Sequence, residues 1–214
     1  MSQNTSSAVM QQRHEAHDSL DFFPTPPWAT RALCACLAEA DPALKGKRAW
    51  DPACGTGDMV RPLSEFFELA YGSDVHPYGA GAVRDFLLHG DEPVFDWIIT
   101  NPPFRLAEEF AEKMIGLARC GAAILVRTAF LEGVGRHSKL FSRRPPQTIL
   151  QFVERVPMHR GRLVENGSTA TAYCWIVWLC RPHKPVPADR TAFAWIPPCR
   201  RILERPGDYA LVAA

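Results

Sequence analysis

The sequence predicts an α/β fold in which helices cover both faces of a mostly parallel central sheet. Continuous apolar runs such as "VFDWIIT", "GAAILVRT" and "YCWIVWLC" are typical of strands that are buried on both faces. Through the first 130 residues, segments with helical spacing of apolar residues alternate with such strands, as parallel sheets with right-handed crossovers require. With 214 residues and 47% hydrophobic content, the chain is long enough to bury one core of this kind.

The predicted elements follow one another along the chain. "PPWATRALCACLAEA" predicts a helix with Pro27 near its first position, where an N–H is not needed. "KRAW" ends a first strand, and "MVRPLSEFFEL" predicts a helix whose Pro62 is tolerated in the first turn after an Asp58 N-cap. "LAYGSDV" and "VFDWIIT" predict the next two strands. The helix predicted for "RLAEEFAEKMIGLA" has four apolar side chains on one face: Leu106, Phe110, Met114 and Leu117.

The chain divides into three parts by composition. Residues 1–20 are polar and predict a disordered tail. Residues 21–181 hold the predicted strands and helices and form the main domain. Residues 182–214 are rich in proline, which predicts an extended tail that packs on this domain.

Composition excludes several classes of protein. No apolar run reaches the length of a membrane span, and the polar N-terminus has no secretory signal pattern, so we expect a cytoplasmic protein without a membrane partner. The seven cysteines are odd in number and never form C-x-x-C, which indicates reduced thiols rather than disulfides or a zinc site. We therefore predict no metal.

Charge is distributed unevenly between the two halves of the chain. Residues 1–100 carry 7 basic and 14 acidic side chains, whereas residues 101–214 carry 17 and 9. A polyanionic partner is therefore expected to contact the second half. Residues 134–162 hold seven basic side chains and one acidic, which is compatible either with nucleic-acid contact or with a solvated basic face.

Polar residues and glycines follow the predicted strands where each one ends, and ligands of such sheets bind there. Asp51 ends the first strand, and Gly55 and Gly57 then form a tight turn that lets backbone approach a ligand closely. Asp74 ends the next strand, about 20 residues after the turn, where a ribose diol would need an acceptor. These features favour an adenosine-containing ligand, the alternative being that the two acids are a cap and a surface charge.

Three motifs of the chain resemble those of a known enzyme family. "DPACGTGD" followed by "TNPPF" is similar to the motif pair of S-adenosylmethionine-dependent amino-methyltransferases. "FFPTPPW" before them resembles the F-x-T-P segment of N6-adenine DNA methyltransferases of the gamma arrangement. The resemblance implies a Rossmann-like methyltransferase fold, S-adenosyl-L-methionine as cofactor and DNA as partner. It covers residues 22–104, and compact enzymes of this type are frequent in phages.

The Asn-Pro-Pro-Phe stretch suits methyl transfer to an exocyclic amine. Such an amine is a poor nucleophile because its lone pair is delocalised into the ring, and two acceptors on its N–H groups would counter this. The acceptors would be the Asn101 side-chain carbonyl and the Pro102 backbone carbonyl, with proline rings fixing the loop. Phe104 would stack on a base that has left the helix. The catalytic candidates are Asn101, Pro102, Pro103 and Phe104, the alternative being a strand-ending turn with Phe104 in the core.

By the same resemblance, Asp51 would contact the methionine end of the cofactor, Asp74 its ribose and Asp85 its adenine. Thr25 and Pro26 would form a wall of the methionine pocket, and Asp85 could equally be a surface acid. The candidate cofactor residues are Thr25, Pro26, Asp51, Pro52, Ala53, Gly55, Gly57, Asp74 and Asp85.

The candidate nucleic-acid residues are Arg136, Lys139, Arg143, Arg144, Arg160 and Arg162. Such side chains would give affinity and salt dependence but little base specificity. Little of the chain remains for a domain that would recognise a particular DNA sequence, so we expect a short recognition sequence or a partner that supplies specificity.

Three hypotheses follow. The first is N6-adenine methylation of DNA. The second is the same chemistry on RNA bases or on a protein glutamine. The third is a catalytically idle protein of this fold that binds nucleic acid or a partner.

Overall fold

The described part of the chain forms one sheet of eight strands. The computed structural model describes residues 21–88, 94–180 and 190–210. The strands are β1 (Arg48–Asp51), β2 (Leu69–Asp74), β3 (Ala82–Val83), β4 (Trp97–Thr100), β5 (Gly121–Arg127), β6 (Thr148–Phe152), β7 (Tyr173–Leu179) and β8 (Ala192–Ile196). Their order across the sheet is β3-β2-β1-β4-β5-β7-β6-β8.

Parallel pairing dominates this sheet, as predicted. The strands β3, β2, β1, β4 and β5 pair in parallel in that order. β7 runs antiparallel to both of its neighbours, β5 and β6, and β8 pairs in parallel with β6. Because the first five strands run in one direction, their carboxyl ends meet at one edge of the sheet, called here the carboxyl edge.

Helices cover both faces of the sheet. They are α1 (Pro27–Ala40), α2 (Val60–Phe66), α3 (Ala107–Leu117), α4 (Val134–Arg136), which runs on into the π-helical turn His137–Phe141, and α5 (Arg200–Leu203). Alternate strand residues belong to different cores: Ile99 joins the core that contains residues of α1 and α2, and Ile98 joins the core that contains residues of α3. This alternation is what a strand with two buried faces requires.

The helix starts agree with the prediction at α1 and differ at α2 and α3. α1 begins at Pro27, as predicted. The N-cap residue of α2 is Met59, so the prediction of an Asp58 N-cap is wrong; Asp58 accepts hydrogen bonds from the Thr56 hydroxyl and the Arg61 guanidinium instead. These nearby side-chain donors compete with the backbone for the carboxylate.

The apolar face predicted for α3 is confirmed in its centre. Phe110 and Met114 are buried, whereas Leu106 is 40% exposed. Leu106 lies in the 3-10 turn before the helix, so it does not share the helical spacing of the other two.

The described C-terminal residues extend the sheet and pack on α1. β8 is an edge strand, and Arg31 of α1 holds the chain that follows α5. The Arg31 side chain is 5% exposed; its two Nη atoms lie 2.7 and 2.8 Å from the Asp208 carboxylate oxygens, and it also pairs with Glu65. β8 and α5 fall within the segment predicted as a packed tail, and residues 1–20 lie outside the described residues, so the predicted domain limits stay a prediction.

None of the helices in the described part of the chain has the length and apolarity that crossing a bilayer would need.

Candidate active site at the carboxyl edge

A pocket opens at the carboxyl edge, where β1, β2 and β4 end. Asp51, Asp74 and Asn101 line it, each lying at or directly after the end of one of these strands. The segment 21–25, which precedes α1, lines it as well. The strand-end side chains predicted to be functional therefore meet in one pocket.

Asp51 has one bonded and one unpaired oxygen. Asp51 is 1% exposed. Its Oδ1 accepts hydrogen bonds from Thr100 Oγ1 at 2.7 Å and from the Ala53 N–H at 3.2 Å. Its Oδ2 is buried and has no hydrogen-bond partner among the described residues. Burial raises the pKa of Asp51 to about 7, with a further contribution from the charge of Asp74. An unpaired buried carboxylate oxygen is suited to a cationic N–H donor in the pocket.

The turn after β1 is held against Asp74. The Gly55 N–H donates to Asp74 Oδ2 at 2.9 Å, and the His76 N–H donates to Oδ1 at the same distance. Gly55 and Gly57 have φ of +50° and +81°, a backbone conformation that glycine adopts without steric cost. A Cβ on Gly55 would lie 2.4 Å from a ring carbon of Phe22. Backbone thus approaches the pocket where a side chain would not fit.

The orientation of the Asn101 amide is fixed by the 21–25 segment. Its Nδ2 donates to the Phe23 carbonyl at 2.8 Å and to Thr25 Oγ1 at 3.1 Å. Because a backbone carbonyl can only accept, the nitrogen must face Phe23. The Oδ1 atom is buried and unpaired within the described part of the chain. Asn101 therefore presents a free acceptor at the pocket.

The Asn-Pro-Pro-Phe stretch is held at its other end by Asp21. The Phe104 N–H donates to Asp21 Oδ2 at 2.6 Å. The ring centroids of Phe104 and Phe23 are 5.2 Å apart. The Arg127 guanidinium carbon lies 4.2 Å from the Phe104 ring centroid. Phe104 is partly buried against the core without being enclosed by it.

The remaining predicted residues lie at different distances from the pocket. Thr25, Ala53 and Pro103 line it. Pro26 is the N-cap residue of α1, and Pro52 and Pro102 are buried. Asp85 is not among the described lining residues; its carboxylate accepts hydrogen bonds from the N–H groups of Leu87 and Leu88. The role of Asp85 toward adenine stays a prediction.

Nine of the fifteen residues that line the pocket were not among the predicted site residues, and three of these nine are Phe22, Asp58 and Tyr78. Asp58 and Phe22 lie in the quoted motifs, and their position there was a signal that could have found them. Tyr78 lies between β2 and β3, and its ring centroid is 4.6 Å from that of Phe22. No pattern in the sequence pairs Tyr78 with Phe22.

The predicted nucleic-acid residues fall into separate groups. Arg160 and Arg162 flank Gly161, whose N–H donates to the Phe22 carbonyl at 2.9 Å, so this loop adjoins the pocket. Lys139, Arg143 and Arg144 line a second cavity together with Lys113 and Glu112. Arg136 is engaged with the carbonyls of Phe130 and Glu132, which indicates a structural role for it.

The second group lies away from the carboxyl edge. The Arg144 carbonyl accepts a hydrogen bond from Trp178 Nε1, and Trp178 pairs with Ala122 near the start of β5. From there to Arg127, at the carboxyl end of β5, the strand rises by roughly 15 Å.

The order and direction of the strands, with helices on both faces, identify the fold. The fold is that of the class I S-adenosylmethionine-dependent methyltransferases. It matches a protein from Listeria monocytogenes described as such an enzyme, with a TM-score of 0.64, 14% identity, and coverage of 85% of this chain and 68% of that one. The methyltransferase subunit of a type I restriction-modification system from Streptococcus thermophilus gives a TM-score of 0.58 at 13% identity, over 87% of this chain and 49% of that one.

The chain is also similar in sequence to part of a curated protein. The chain is 33% identical to the type II methyltransferase M.TthHB8I of Thermus thermophilus over 111 residues. The match covers 47% of this chain and 25% of that relative, so the chain spans only part of the relative's length. No family model matches the chain. The similarity in sequence and the shared fold agree with the resemblance to S-adenosylmethionine-dependent DNA methyltransferases that the motifs predicted.

Proposed function

We propose that this protein transfers a methyl group from S-adenosyl-L-methionine to the exocyclic amine of adenine in DNA. The observation that carries the proposal is the Asn101 amide of the pocket, whose nitrogen is bonded to Phe23 and Thr25 and whose buried oxygen has no partner among the described residues. A fixed and unpaired acceptor is what an amine donor in the pocket requires.

The pocket fits the cofactor at two of its polar groups. S-adenosyl-L-methionine carries a cationic amino group, and Asp51 Oδ2 is a buried carboxylate oxygen without a partner among the described residues. The cofactor also carries a ribose diol, for which the Asp74 carboxylate, held by the N–H groups of Gly55 and His76, is a positioned acceptor. When bound, the cofactor supplies an electrophilic methyl group.

Asn101 and Pro102 act on the amine. The Asn101 Oδ1 atom accepts one N–H of the target amine and the Pro102 carbonyl accepts the other, which draws electron density toward the nitrogen. The amide need not reorient, because Phe23 and Thr25 already hold it. By analogy with oxyanion-hole donors, each preorganised group of this kind is worth about 10²–10³ in rate. Phe104 provides the surface on which the target ring stacks.

DNA is favoured as the substrate by the sequence relative and by charge. M.TthHB8I is a type II methyltransferase, and its match covers 111 residues. Arg160 and Arg162 lie in the loop that bonds to Phe22, so phosphate contacts there would place a nucleic acid beside the pocket. If the substrate were RNA or protein, the partner would differ but the chemistry of the site would be the same.

The test is methyl transfer from labelled S-adenosyl-L-methionine to unmethylated DNA, RNA and protein in parallel, with nucleic acids digested to nucleosides and resolved by mass spectrometry. We expect N6-methyladenine in DNA. Label in RNA or protein alone would contradict the proposed substrate, and no label despite measurable cofactor binding would favour an idle protein of this fold.

Asn101→Ala tests the mechanism. We expect methyl transfer to fall by about a hundredfold or more while cofactor affinity is retained, because the amide acts on the acceptor substrate. Ser64→Ala is the control, since Ser64 is exposed on α2 and its hydroxyl donates to the Arg61 carbonyl of the same helix. An unchanged rate in Asn101→Ala would remove Asn101 from the mechanism.

A further inference from the structure

The face of the Phe104 ring is covered by the guanidinium of Arg127. The guanidinium carbon lies 4.2 Å from the ring centroid, which is stacking distance. Phe23 also contacts Phe104, but the two rings are tilted by 40° with centroids 5.2 Å apart, so Phe23 does not stack on it. Arg127 therefore covers a face of Phe104 on which a planar ring could stack.

Arg127 is anchored in a way that leaves its guanidinium room to move. Its backbone ends β5 and pairs with Tyr173 on β7, so the start of the side chain is fixed. The side chain is exposed, and it bonds to the hydroxyl of Tyr173, a residue that is 2% exposed. Within the described part of the chain no carboxylate forms an ion pair with Arg127. A shift of about 3.5 Å, the contact thickness of an aromatic ring, is within reach of its three-methylene stem.

We propose that the target base inserts between Phe104 and Arg127, so that Arg127 forms the outer wall of the base slot. This inference rests on the proposed function and adds a specificity-determining residue to it. Guanidinium planes stack on nucleic-acid bases, and the base gains a contact on each face. A slot with two stacking walls selects planar aromatic substrates over a side-chain amide, which has little surface to stack.

The experiment separates base stacking from phosphate attraction. The two probes are a fluorescent 12-mer of tetrahydrofuran abasic residues with one central deoxyadenosine and the same 12-mer without a base. Binding is measured by anisotropy in the presence of S-adenosylhomocysteine. Because the probes have the same phosphates, the ratio of their affinities reports the base slot and not the net charge of the protein.

We expect the wild type to prefer the probe that contains deoxyadenosine, and Arg127→Ala to reduce this preference about fivefold or more, as the loss of one stacking partner does. Arg127→Gln keeps a planar group and a donor for Tyr173 and should give an intermediate value, which guards against a folding defect in the alanine variant. Arg119→Ala is the matched control: Arg119 is exposed, follows α3 and lies before β5, so it removes one charge far from the slot. It should lower both affinities alike.

Other outcomes overturn the inference in distinguishable ways. One such outcome is that Arg127→Ala leaves the preference for the deoxyadenosine probe unchanged or raises it, while Phe104→Ala abolishes it. In that case the proposed function stands, and the base displaces Arg127 from Phe104 instead of stacking on it. If the wild type has no preference and does not methylate DNA, the proposed function fails and the role of Arg127 fails with it.

Discussion

The Asp51 and Asn101 side chains share one feature: each is anchored through one polar atom and leaves the other buried, with no partner among the described residues. Asp51 is bonded through Oδ1 to Thr100 and Ala53, and Asn101 through Nδ2 to Phe23 and Thr25. A buried acceptor without a partner costs about 1–3 kcal/mol. The fold tolerates this cost at two side chains of one pocket, which is expected where a ligand supplies the missing donors.

Asp51→Asn should change the pH dependence of stability. The folded pKa of Asp51 is about 7 and its unfolded value is 3.8, so the folded state binds more protons between these pH values. Stability of the wild type without cofactor therefore falls as pH rises from about 4 to about 7. Over this range the free energy of unfolding should fall by at most about 4 kcal/mol, since one pKa unit corresponds to about 1.4 kcal/mol. Denaturant unfolding of both proteins at pH 5 and pH 8 should record about 3 kcal/mol of this change, because about two pKa units separate pH 5 from the folded pKa, and Asp51→Asn should lack this part of the slope.

Cofactor affinity provides the companion measurement for Asp51. The ionised carboxylate is the form that attracts an ammonium group, so wild-type affinity for S-adenosylhomocysteine should rise between pH 6 and pH 7.5, and Asp51→Asn should bind weakly at both. Parallel pH profiles of unfolding in the two proteins would contradict the raised pKa.

The turn after β1 illustrates how the elements position the site. It joins β1 to α2, lies against Asp74 at the end of β2, and meets Phe22 of the 21–25 segment. Three elements thus meet at one glycine, Gly55. A backbone position that needs both positive φ and close approach has no substitute among residues with a Cβ.

Gly55→Ala should therefore reduce affinity for S-adenosylhomocysteine by about tenfold or more and destabilise the protein by about 1–2 kcal/mol. Gly46→Ala is the matched control, because a Cβ there meets nothing within 4 Å and φ is not positive. It should be neutral or slightly stabilising. Calorimetric titration and thermal unfolding measure the two effects, and equal behaviour of both variants would contradict the close approach at Gly55.

Elements with a strong local pattern could be predicted from the sequence. β5 and β7 are continuous apolar strands, and α1 begins with a proline, so these three follow from short segments alone. The N-cap of α2 could not be predicted, because the Thr56 hydroxyl and the Arg61 guanidinium donate to the Asp58 carboxylate, and the spacing of residues does not show that they do so. β8 was missed because Phe193 and Trp195 are exposed and prolines surround the strand.

The same difference between local and distant contacts applies to the site. The strand-end positions of Asp51, Asp74 and Asn101 were predictable, since each follows a recognisable strand. The bonds from Asn101 to the 21–25 segment and the contact of Arg127 with Phe104 join residues far apart in the chain. Such contacts depend on side-chain geometry, which one sequence without a structure does not reveal.

At the scale of the whole molecule, the basic side chains are divided between the carboxyl edge and the surface beside α3. Arg160 and Arg162 adjoin the pocket, and Arg143 and Arg144 line the cavity that also contains Lys113. A duplex that contacts both groups would extend along the molecule from the pocket toward the start of β5.

Charge reversal of each group should separate their contributions. Arg143→Glu with Arg144→Glu should weaken DNA binding and reduce its salt slope by about one for each phosphate that the protein no longer neutralises. Arg160→Glu with Arg162→Glu should do the same and lower methyl transfer further, because this loop bonds to Phe22 beside the pocket. Binding titrations at several salt concentrations give both quantities. An unchanged affinity and slope in either pair would place the DNA elsewhere.

The 21–25 segment carries a thermodynamic consequence, since it lines the cofactor pocket and also holds the Asn101 amide. If contacts with the cofactor stabilise the 21–25 segment in the position that the structure shows, they also stabilise the orientation of Asn101, and by reciprocity a substrate bonded to Asn101 favours retention of the cofactor. The two ligands would then bind with positive cooperativity without touching a common side chain.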